Sequence, residues 1–567
     1  MATTLPRNDD VAGQLDLLAD LLELEGSDTF RILAYRRAAA RIRESGASVA
    51  QLALDGKAKK LPGIGQTIEE KIVQIIDTGE IEALRKRRGT IPPDVVAFMK
   101  LPGLGPKTAR RIWLELGVTT LAGLKRAAEE QRLRTLAGLG PKSEDNVLKA
   151  LAEMPAPDAP KRTLLGTALP ALAAAVEELR EHPAAEQVSE AGSARRRRET
   201  VRDLDIIATA ADPAALLDHF VSRPWVVEIA ARGDTKATVV SHDGLRFDLR
   251  VVPPECYGNL LQHFTGSKEH NVALREAAVR RGLSISEYGV LETETGSVFT
   301  ARTEEELYDH LGYAFIPPEL RENAGELEAA RAGELPALVE VGDLRGDLHS
   351  HTTWSSDGKN TAEEMALAAR DRGYEYLAVT DHSHYLRDGR MEEQDEELRE
   401  LNERLAPFRL LRGVEVNIRT DGTLDLPDEV LAERDWVVAS IHSGLNKNHT
   451  ERVLEAMDNP HVDCIGHLTG RKLNKRPPAD VDLERIVERA VATGTALEIN
   501  SQPDRLDLRD AHARYAAGAG ARIVVSSDGH RVAALAYVEM GIGLARRAWL
   551  TKQQVVNTRS WPQVLPG

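Results

Sequence analysis

Twelve acidic and imidazole side chains in this 567-residue chain fall into two sets, and both suit divalent cations. The first set is Asp203 and Asp205 in Asp203-Leu204-Asp205, followed by Asp248 in Arg246-Phe247-Asp248. Residues two apart on a strand face the same side. With a third carboxylate from a neighbouring strand they would hold two ions roughly 3.5–4 Å apart, one activating a hydroxyl and one holding a triphosphate. Upstream, Gly192 and Ser193 offer backbone and hydroxyl donors, and Arg196 a guanidinium fork, to phosphate oxygens. Asp-x-Asp alone is common in turns, so the ordered set is what makes the signal specific. The second set is His349, His351, Asp357, His382, Glu415, His442, His467, Asp528 and His530. A lone core histidine is usually structural, but nine positions of this kind beside strand-like runs are not explained that way. Mixed imidazole and carboxylate donors suit Zn²⁺ or Mn²⁺ better than Mg²⁺ or Ca²⁺. Such ions lower the pKa of water and neutralise charge developing on a phosphoester.

A third pattern repeats: Leu61-Pro62-Gly63-Ile64-Gly65, Leu101-Pro102-Gly103-Leu104-Gly105 and Leu136-Ala137-Gly138-Leu139-Gly140. Each lies between helical patterns. A Gly-hydrophobic-Gly turn opening a helix exposes N–H groups that can hold a phosphate without reading a base. Lys107 and Lys142 follow the last two copies, and Lys59 and Lys60 precede the first. The bland alternative is a simple αα-hairpin turn, which a threefold repeat makes less natural.

Elements must bring these scattered groups together. Helical patterns fill residues 1–150 and recur near 165–182. Strand-like runs at 204–209, 225–231, 236–241 and 246–252 predict an antiparallel or mixed sheet with helices on one side. After a polar Ala/Glu-rich stretch at 322–340, read as a linker, short runs alternate with helices at 376–380, 410–416, 436–441, 464–467, 496–499 and 522–526. That alternation predicts a parallel barrel or open sheet, with ligands gathered at the strands' carboxyl ends. Net charge is −16, which at first argues against nucleic acid, but residues 1–150 carry 24 Lys+Arg against 20 Asp+Glu and the remainder 49 against 69. A local basic face is enough for binding. Two distant cysteines fit a reducing cytoplasm, and neither a long apolar run nor a secretory leader is evident, so no membrane association is expected.

The first hairpin, with Tyr35 in Ala34-Tyr35-Arg36-Arg37 and Lys71 in Glu69-Glu70-Lys71-Ile72, resembles the small lyase domain of family X DNA polymerases. The resemblance implies a Schiff-base nucleophile at Lys71 and a 5′-phosphate pocket. Thr67 departs from the lysine of lyase-active members, so Lys71 stays open between nucleophile and solvated helix residue. The resemblance extends through residues 10–325. The block His263-Phe264-Thr265-Gly266-Ser267-Lys268-Glu269-His270-Asn271 matches that family's nucleotide-facing turn and helix, which implies nucleotide contacts from Phe264, Gly266, Asn271 and Arg275. His263 stands where animal members carry Tyr, which touches sugar discrimination, and Arg250 and Glu287 match a pair that changes partners on closure. Residues 343–567 resemble the PHP (polymerase and histidinol phosphatase) domain. This implies that all nine residues of the second set are metal ligands in a distorted barrel of about seven strands. Arg471 stays open between phosphate contact and ion pair.

The expected protein is multidomain: an all-α helix-hairpin-helix N-terminal region, an α+β nucleotidyltransferase palm and thumb, and a C-terminal α/β PHP barrel. The expected divisions are a lyase-like helical domain at 1–80, a second helical DNA-binding domain at 81–155, a palm at 156–257 and a thumb-like domain at 258–325. A linker at 326–342 and the PHP phosphoesterase at 343–567 complete the chain. The implied activity is template-directed filling of short gaps with dNTPs on primer-template DNA bearing a 5′-phosphate. It is joined to 3′-5′ exonuclease or 3′-end processing and AP endonuclease cleavage in base excision repair. Implied cofactors are Mg²⁺ or Mn²⁺ at the three carboxylates and up to about three Mn²⁺ or Zn²⁺ at the histidine set. A monomer in the nucleoid-associated cytoplasm is expected. The rival reading is a PHP nuclease or phosphatase whose N-terminal half only anchors DNA.

Overall fold

The computed structural model describes residues 5–6, 8–43, 49–61, 63–88, 91–99, 101, 104–153, 162–445 and 447–565. The chain forms two compact units, one over residues 1–160 and 242–244 and one over 161–241 and 245–567. Among the described residues no helix is long and apolar enough to cross a membrane.

The first unit is helical. Its longest elements are Asn8–Glu25, Thr29–Arg43, Gln66–Thr78, Pro106–Leu116 and Pro141–Glu153. The helices Gln66–Thr78 and Pro106–Leu116 end on the left-handed glycines Gly79 and Gly117, whose N–H groups donate to the Ile75 and Ile112 carbonyls. Their apolar faces meet in one core that includes Leu15, Leu22, Ile72, Phe98, Ile112 and Val147.

The second unit opens with a five-stranded mixed sheet. Strand Leu204–Ala210 pairs parallel with Arg246–Val251, while Ala185–Glu190, Lys236–Ser241 and Val226–Arg232 add antiparallel edges. Helices Leu165–Arg180 and Pro213–Val221 cover one face, burying Leu172, Val176, Leu216 and Phe220. The helices Tyr257–Thr265 and Lys268–Val279 follow, and then a small three-stranded sheet.

The stretch read as a linker is not free chain. Residues Glu326–Ala332 form a helix whose Leu327 and Ala330 join the core of the preceding domain. Glu326 is buried and bonds His270 Nδ1 at 2.7 Å. Periodicity over seven residues is too short to expose such packing against a polar background.

Residues beyond 343 form a parallel sheet of seven strands in sequential order, counted among the described residues. The strands are Gly346–Ser350, Tyr376–Val379, Arg409–Asn417, Trp436–Ser440, Cys464–Ile465, Ala496–Asn500 and Ile523–Ser526. A bridge between Ser350 and Gly529 brings the last strand back to the first, so the ring nearly closes at its carboxyl end. Strands buried on both faces read as apolar runs. Leu348, Tyr376, Trp436 and Val524 fill the interior, and Val556 and Val564 from the C-terminal segment plug it. Both cysteines are buried and unpaired.

Within this unit a buried ion cluster ties the helical and sheet parts together. Glu304 accepts from Arg321 Nη1 at 2.5 Å and from Arg195 Nη2 at 2.6 Å, and Arg321 is fully buried beside Tyr308 and Phe315. Removing one member of a buried pair strands the other charge. Glu304→Ala is therefore expected to destabilise this unit by about 3–5 kcal/mol, read as a lowered urea midpoint for its transition. An unchanged midpoint would show that water compensates Arg321.

Candidate metal centres and phosphate-binding turns

The adjacent parallel strands put Asp205 directly opposite Asp248 in register. Asp203 lies one residue before the strand Leu204–Ala210 rather than on it, but stays close enough for its charge to act on Asp205. Burial, then the negative charges of Asp203 and Asp248, push the Asp205 carboxyl up to about 7. Three carboxylates that repel each other in this way fit a divalent cation, which would relieve both the repulsion and the cost of burial. Gly192, with φ +64°, is what lets Asp205 sit there: a Cβ on it would lie 2.1 Å from Asp205 Oδ2. Thr238 donates to Asp248 and fixes its other face.

A cleft of about 350 Å³ runs from Asp203 and Asp205 to Gly192, Ser193, Arg196, His263, Phe264, Gly266, Lys268, Asn271 and Arg275. All seven residues matched to nucleotide contact therefore line one space. Three of them hold other partners in this structure. Arg196 bonds Glu322 Oε1 at 3.1 Å and the Thr265 carbonyl, and Asn271 Nδ2 donates to the His263 carbonyl at 2.8 Å. Arg275 meets His263 Nδ1 at 3.4 Å, and Arg250 lies 4.2 Å over the Phe264 ring.

The nine residues of the second set converge at the carboxyl end of the barrel. Glu415 lies at the centre. Its oxygens meet His382 Nδ1 at 2.7 Å, His442 Nε2 at 3.2 Å, His467 Nε2 at 3.3 Å, and His349 and His351 Nε2 at 3.6 Å. Asp528 Oδ1 lies 3.3 Å from His351 Nε2 and 3.5 Å from His530 Nδ1, and Asp357 Oδ2 lies 3.2 Å from His530 Nε2 and 3.4 Å from His382 Nε2. Three triads have donor atoms mutually within 4.8 Å: His351/His382/His530, His349/His351/Glu415 and His382/Glu415/His442. His349 Nε2, both ring nitrogens of His351, His467 Nδ1 and Glu415 Oε1 are buried without hydrogen-bond partners. Buried polar atoms are rarely left so, and this donor set fits Zn²⁺ or Mn²⁺.

The electrostatics agree. Burial opposes charge on Glu415 and Asp528, yet the surrounding imidazoles hold both well below the carboxylate range. Burial also pulls His349 down, but Glu498, Asp528 and Glu415 outweigh it and raise it well above its usual value. At His467 burial, helped by the charges of Arg505 and His442, outweighs Glu415 and lowers it to about 4.

Sequence reasoning missed the groups that orient these donors. Glu498 Oε1 bonds His349 Nδ1 at 2.7 Å and its Oε2 accepts from the His467 amide at 2.6 Å. Asn417 Oδ1 meets His442 Nδ1 at 2.7 Å, and Asn500 Nδ2 donates to Asp528 at 2.9 Å. Such partners fix the tautomer that faces a metal. Their signal was present: each lies in or at the end of a strand-like run. Arg505 was also missed; its Nε is buried without a hydrogen bond and lies 4.0 Å from Asp528 Oδ2. Arg471 is buried and pairs with Glu199 at 2.5 Å, so it is an internal tie.

In the first unit Gly65 and Gly105 are N-caps without side-chain caps, and Gly140 precedes the helix Pro141–Glu153. Gly63 and Gly138 take φ +84° and +87°. Nothing lies within 4 Å of a Cβ built on Gly63, Gly65, Gly105, Gly138 or Gly140, so a phosphate could approach their amides. Gly103 lies outside the described residues. Glu69, four residues after Gly65, accepts from the Lys59 amide at 2.9 Å, and Glu144, four after Gly140, accepts from the Arg134 amide at 3.0 Å. These two buried carboxylates lock the first and third hairpins alike, a repeat that reading the glycines alone overlooks. Lys60, Lys107 and Lys142 are exposed, whereas Lys59 reaches Glu69 at 3.6 Å. Lys71 Nζ lies 6.0 Å from the ring of the buried Tyr35.

Comparison with known proteins bears on all three sites. Family patterns match at residues 6–81 (helix-hairpin-helix domain), 55–117 and 95–153 (SAM-like helix-hairpin-helix tandem), 260–322 (DNA polymerase beta thumb) and 347–502 (PHP domain). The DNA polymerase/3′-5′ exonuclease PolX of Bacillus subtilis is 40% identical over 98% of each chain. A probable phosphatase of Acetivibrio thermocellus is 33% identical over 32% of this chain and 78% of its own length. One from Syntrophotalea carbinolica is 31% identical over 37% of this chain and 90% of its own length.

Two outcomes follow at the carboxylate pocket. Cation binding needs Asp205 deprotonated, so Mn²⁺ affinity there should rise as pH rises through about 7, with proton release. Gly192→Ala should displace Asp205 and weaken that affinity at least about tenfold. Calorimetric titration of a parent carrying His349→Ala, His351→Ala and Glu415→Gln isolates this pocket. A pH-independent affinity, or an unchanged one in Gly192→Ala, would contradict the geometry.

Proposed function

The chain belongs to the family X DNA polymerases that carry a C-terminal PHP domain, and from that premise we propose which residues perform each of its two reactions. The protein is a DNA-binding DNA polymerase and 3′-5′ exonuclease that depends on divalent metals. In the polymerase half Asp203, Asp205 and Asp248 would hold Mg²⁺ or Mn²⁺. Bound there, these ions supply activation of the primer 3′-hydroxyl and charge neutralisation on the triphosphate. A dNTP would occupy the 350 Å³ cleft, a volume in the range of small-molecule sites. Gly192 and Ser193 would meet its phosphates, and Arg196 would join them on leaving Glu322. Phe264 and Gly266 would face the sugar, and Asn271 and Arg275 would test the shape of the new pair at minor-groove acceptors shared by all correct pairs.

In the PHP half His349, His351, Asp357, His382, Glu415, His442, His467, Asp528 and His530 would hold up to about three Mn²⁺ or Zn²⁺. Those ions supply Lewis-acid activation of water and of the scissile phosphate. Glu498, Asn417 and Asn500 hold the donors in orientation, and Arg505 would steady a phosphate oxygen. The helix-hairpin-helix turns at Gly63/Gly65, Gly103/Gly105 and Gly138/Gly140, with Lys59, Lys60, Lys107 and Lys142, would grip DNA backbone. Tyr35 and Lys71 would border a 5′-phosphate. Short-gap filling in base excision repair, 3′-end cleaning, AP endonuclease cleavage, lyase chemistry at Lys71 and work as a monomer in the cytoplasm, on the nucleoid, complete the proposal.

The single observation behind this reading is that two separated donor sets each converge, one beside a nucleotide-sized cleft. The rival, in which the N-terminal half merely anchors DNA, loses its footing because the near-full-length relative is named a polymerase. Asp203→Ala with Asp205→Ala should lower primer extension at least about 10³-fold and leave 3′-5′ hydrolysis within about twofold. His349→Ala should do the reverse. Both are read on one labelled primer-template with and without dNTPs; parallel loss of both activities in either variant would refute separate centres.

A further inference from the structure

We propose that a cleft between the segment around residues 319–324 and the barrel helix Asp510–Gly518 binds single-stranded DNA. The proposal rests on the polymerase and exonuclease reading above. The cleft has a volume of about 740 Å³ and belongs to neither metal centre. Its acids are spoken for. Glu319 pairs with Arg546 at 2.7 Å, Asp510 with Arg547 at 2.6 Å, and Glu322 with Arg547 at 2.9 Å and Arg196 at 3.1 Å. Three arginines lack a close carboxylate of their own, although Arg514 Nη1 donates to the Ala324 carbonyl at 3.2 Å. Arg198 reaches Glu322 only at 3.9 Å, behind two closer guanidinium groups. Among the described residues no carboxylate lies within ion-pair distance of Arg509 or Arg514.

Aromatic surface is interleaved with this charge. The Arg514 guanidinium lies 4.1 Å over the Trp549 ring, and Tyr515 beside it is 46% exposed. Surplus arginines set among aromatic faces are what single strands use: phosphates take the charge and splayed bases stack. A duplex, whose bases are stacked on each other, has no use for the aromatic faces. The cleft also adjoins both chemistries along the chain. Arg198 is two residues past Arg196 of the nucleotide cleft. Arg509 ends the loop whose Gln502 bonds the Asp528 carbonyl at 2.5 Å. A strand end lying here would have a polymerase segment on one wall and a PHP loop on the other.

The test uses the full-length chain in EDTA, where neither centre turns over. Fluorescence anisotropy compares a blunt duplex with the same duplex bearing a 3′ tail of about eight nucleotides. For Arg198→Ala/Arg509→Ala/Arg514→Ala, tailed DNA should lose at least about tenfold in affinity. The slope of log K against log salt should flatten by about 2, from three lost single-strand phosphate contacts. Blunt-duplex affinity should stay unchanged. Tyr515→Ala should cost tailed DNA about fivefold or more. Arg509→Glu alters one exposed side chain, so it decides the matter if the triple variant fails to fold; it should weaken tailed DNA alone. Equal loss on both DNAs, or no loss on tailed DNA, overturns the cleft. Primer extension and hydrolysis by the parent are read separately, so their absence would sink the enzymatic assignment without touching the binding result.

Discussion

Mutual repulsion between acids held close together in partly dry pockets is the constraint on which the rest of this molecule depends. Carboxylates confined in this way are unstable unless positive charge arrives. In the palm, burial and the charges of Asp203 and Asp248 outweigh the nearby Arg250 and Arg196, and the Asp205 carboxyl rises to about 7. In the barrel the same problem is met by imidazoles: five of them surround Glu415, and the acids stay far below their usual range. The first arrangement, all carboxylate, suits hard divalent cations. The second, rich in imidazole, suits transition metals.

Holding such pockets together takes rigid scaffolding. Parallel pairing places Asp205 against Asp248 without help from a loop. Near-closure of the barrel through Ser350 and Gly529 brings the first and last strands together, so His349 and His351 can meet Asp528 and His530. Glycine matters at two points for opposite reasons. Gly192 removes a side chain so that an acid can approach, and Gly63 takes a left-handed turn just ahead of the helix Gln66–Thr78.

The polymerase and PHP parts of the second unit are not strung on a flexible tether. Arg547 donates to the Arg196 carbonyl at 2.9 Å and shares Glu322 with the Arg196 side chain, and Arg471 meets Glu199. Gly166 packs where any Cβ would strike Pro503. An arginine of the nucleotide cleft is thus held in place partly by the hydrolytic domain. Buried ion pairs of this kind specify geometry more than they stabilise, which is what two active centres on one chain require.

Local order was legible in the amino acids themselves. Runs such as Tyr376–Val379 and Trp436–Ser440 announce buried parallel strands through apolar continuity, and the periods of helices, the thrice-repeated glycine turn and the order of acids and histidines mark where donors fall relative to each element. What those patterns leave open is pairing at long range. That Glu498 rather than some other glutamate would orient His349, that Arg471 would be internal, that Glu326–Ala332 would pack instead of linking, and that Arg514 would lie over Trp549 all depend on residues tens to hundreds of positions apart. Glu, Asn and Arg are common and mostly solvated, so their types carry little information until neighbours remove the water. Sequence determined which groups could bind cations or phosphate. Only the folded chain decided which of them are desolvated together, because burial and proximity, not identity, set their charge and their partners.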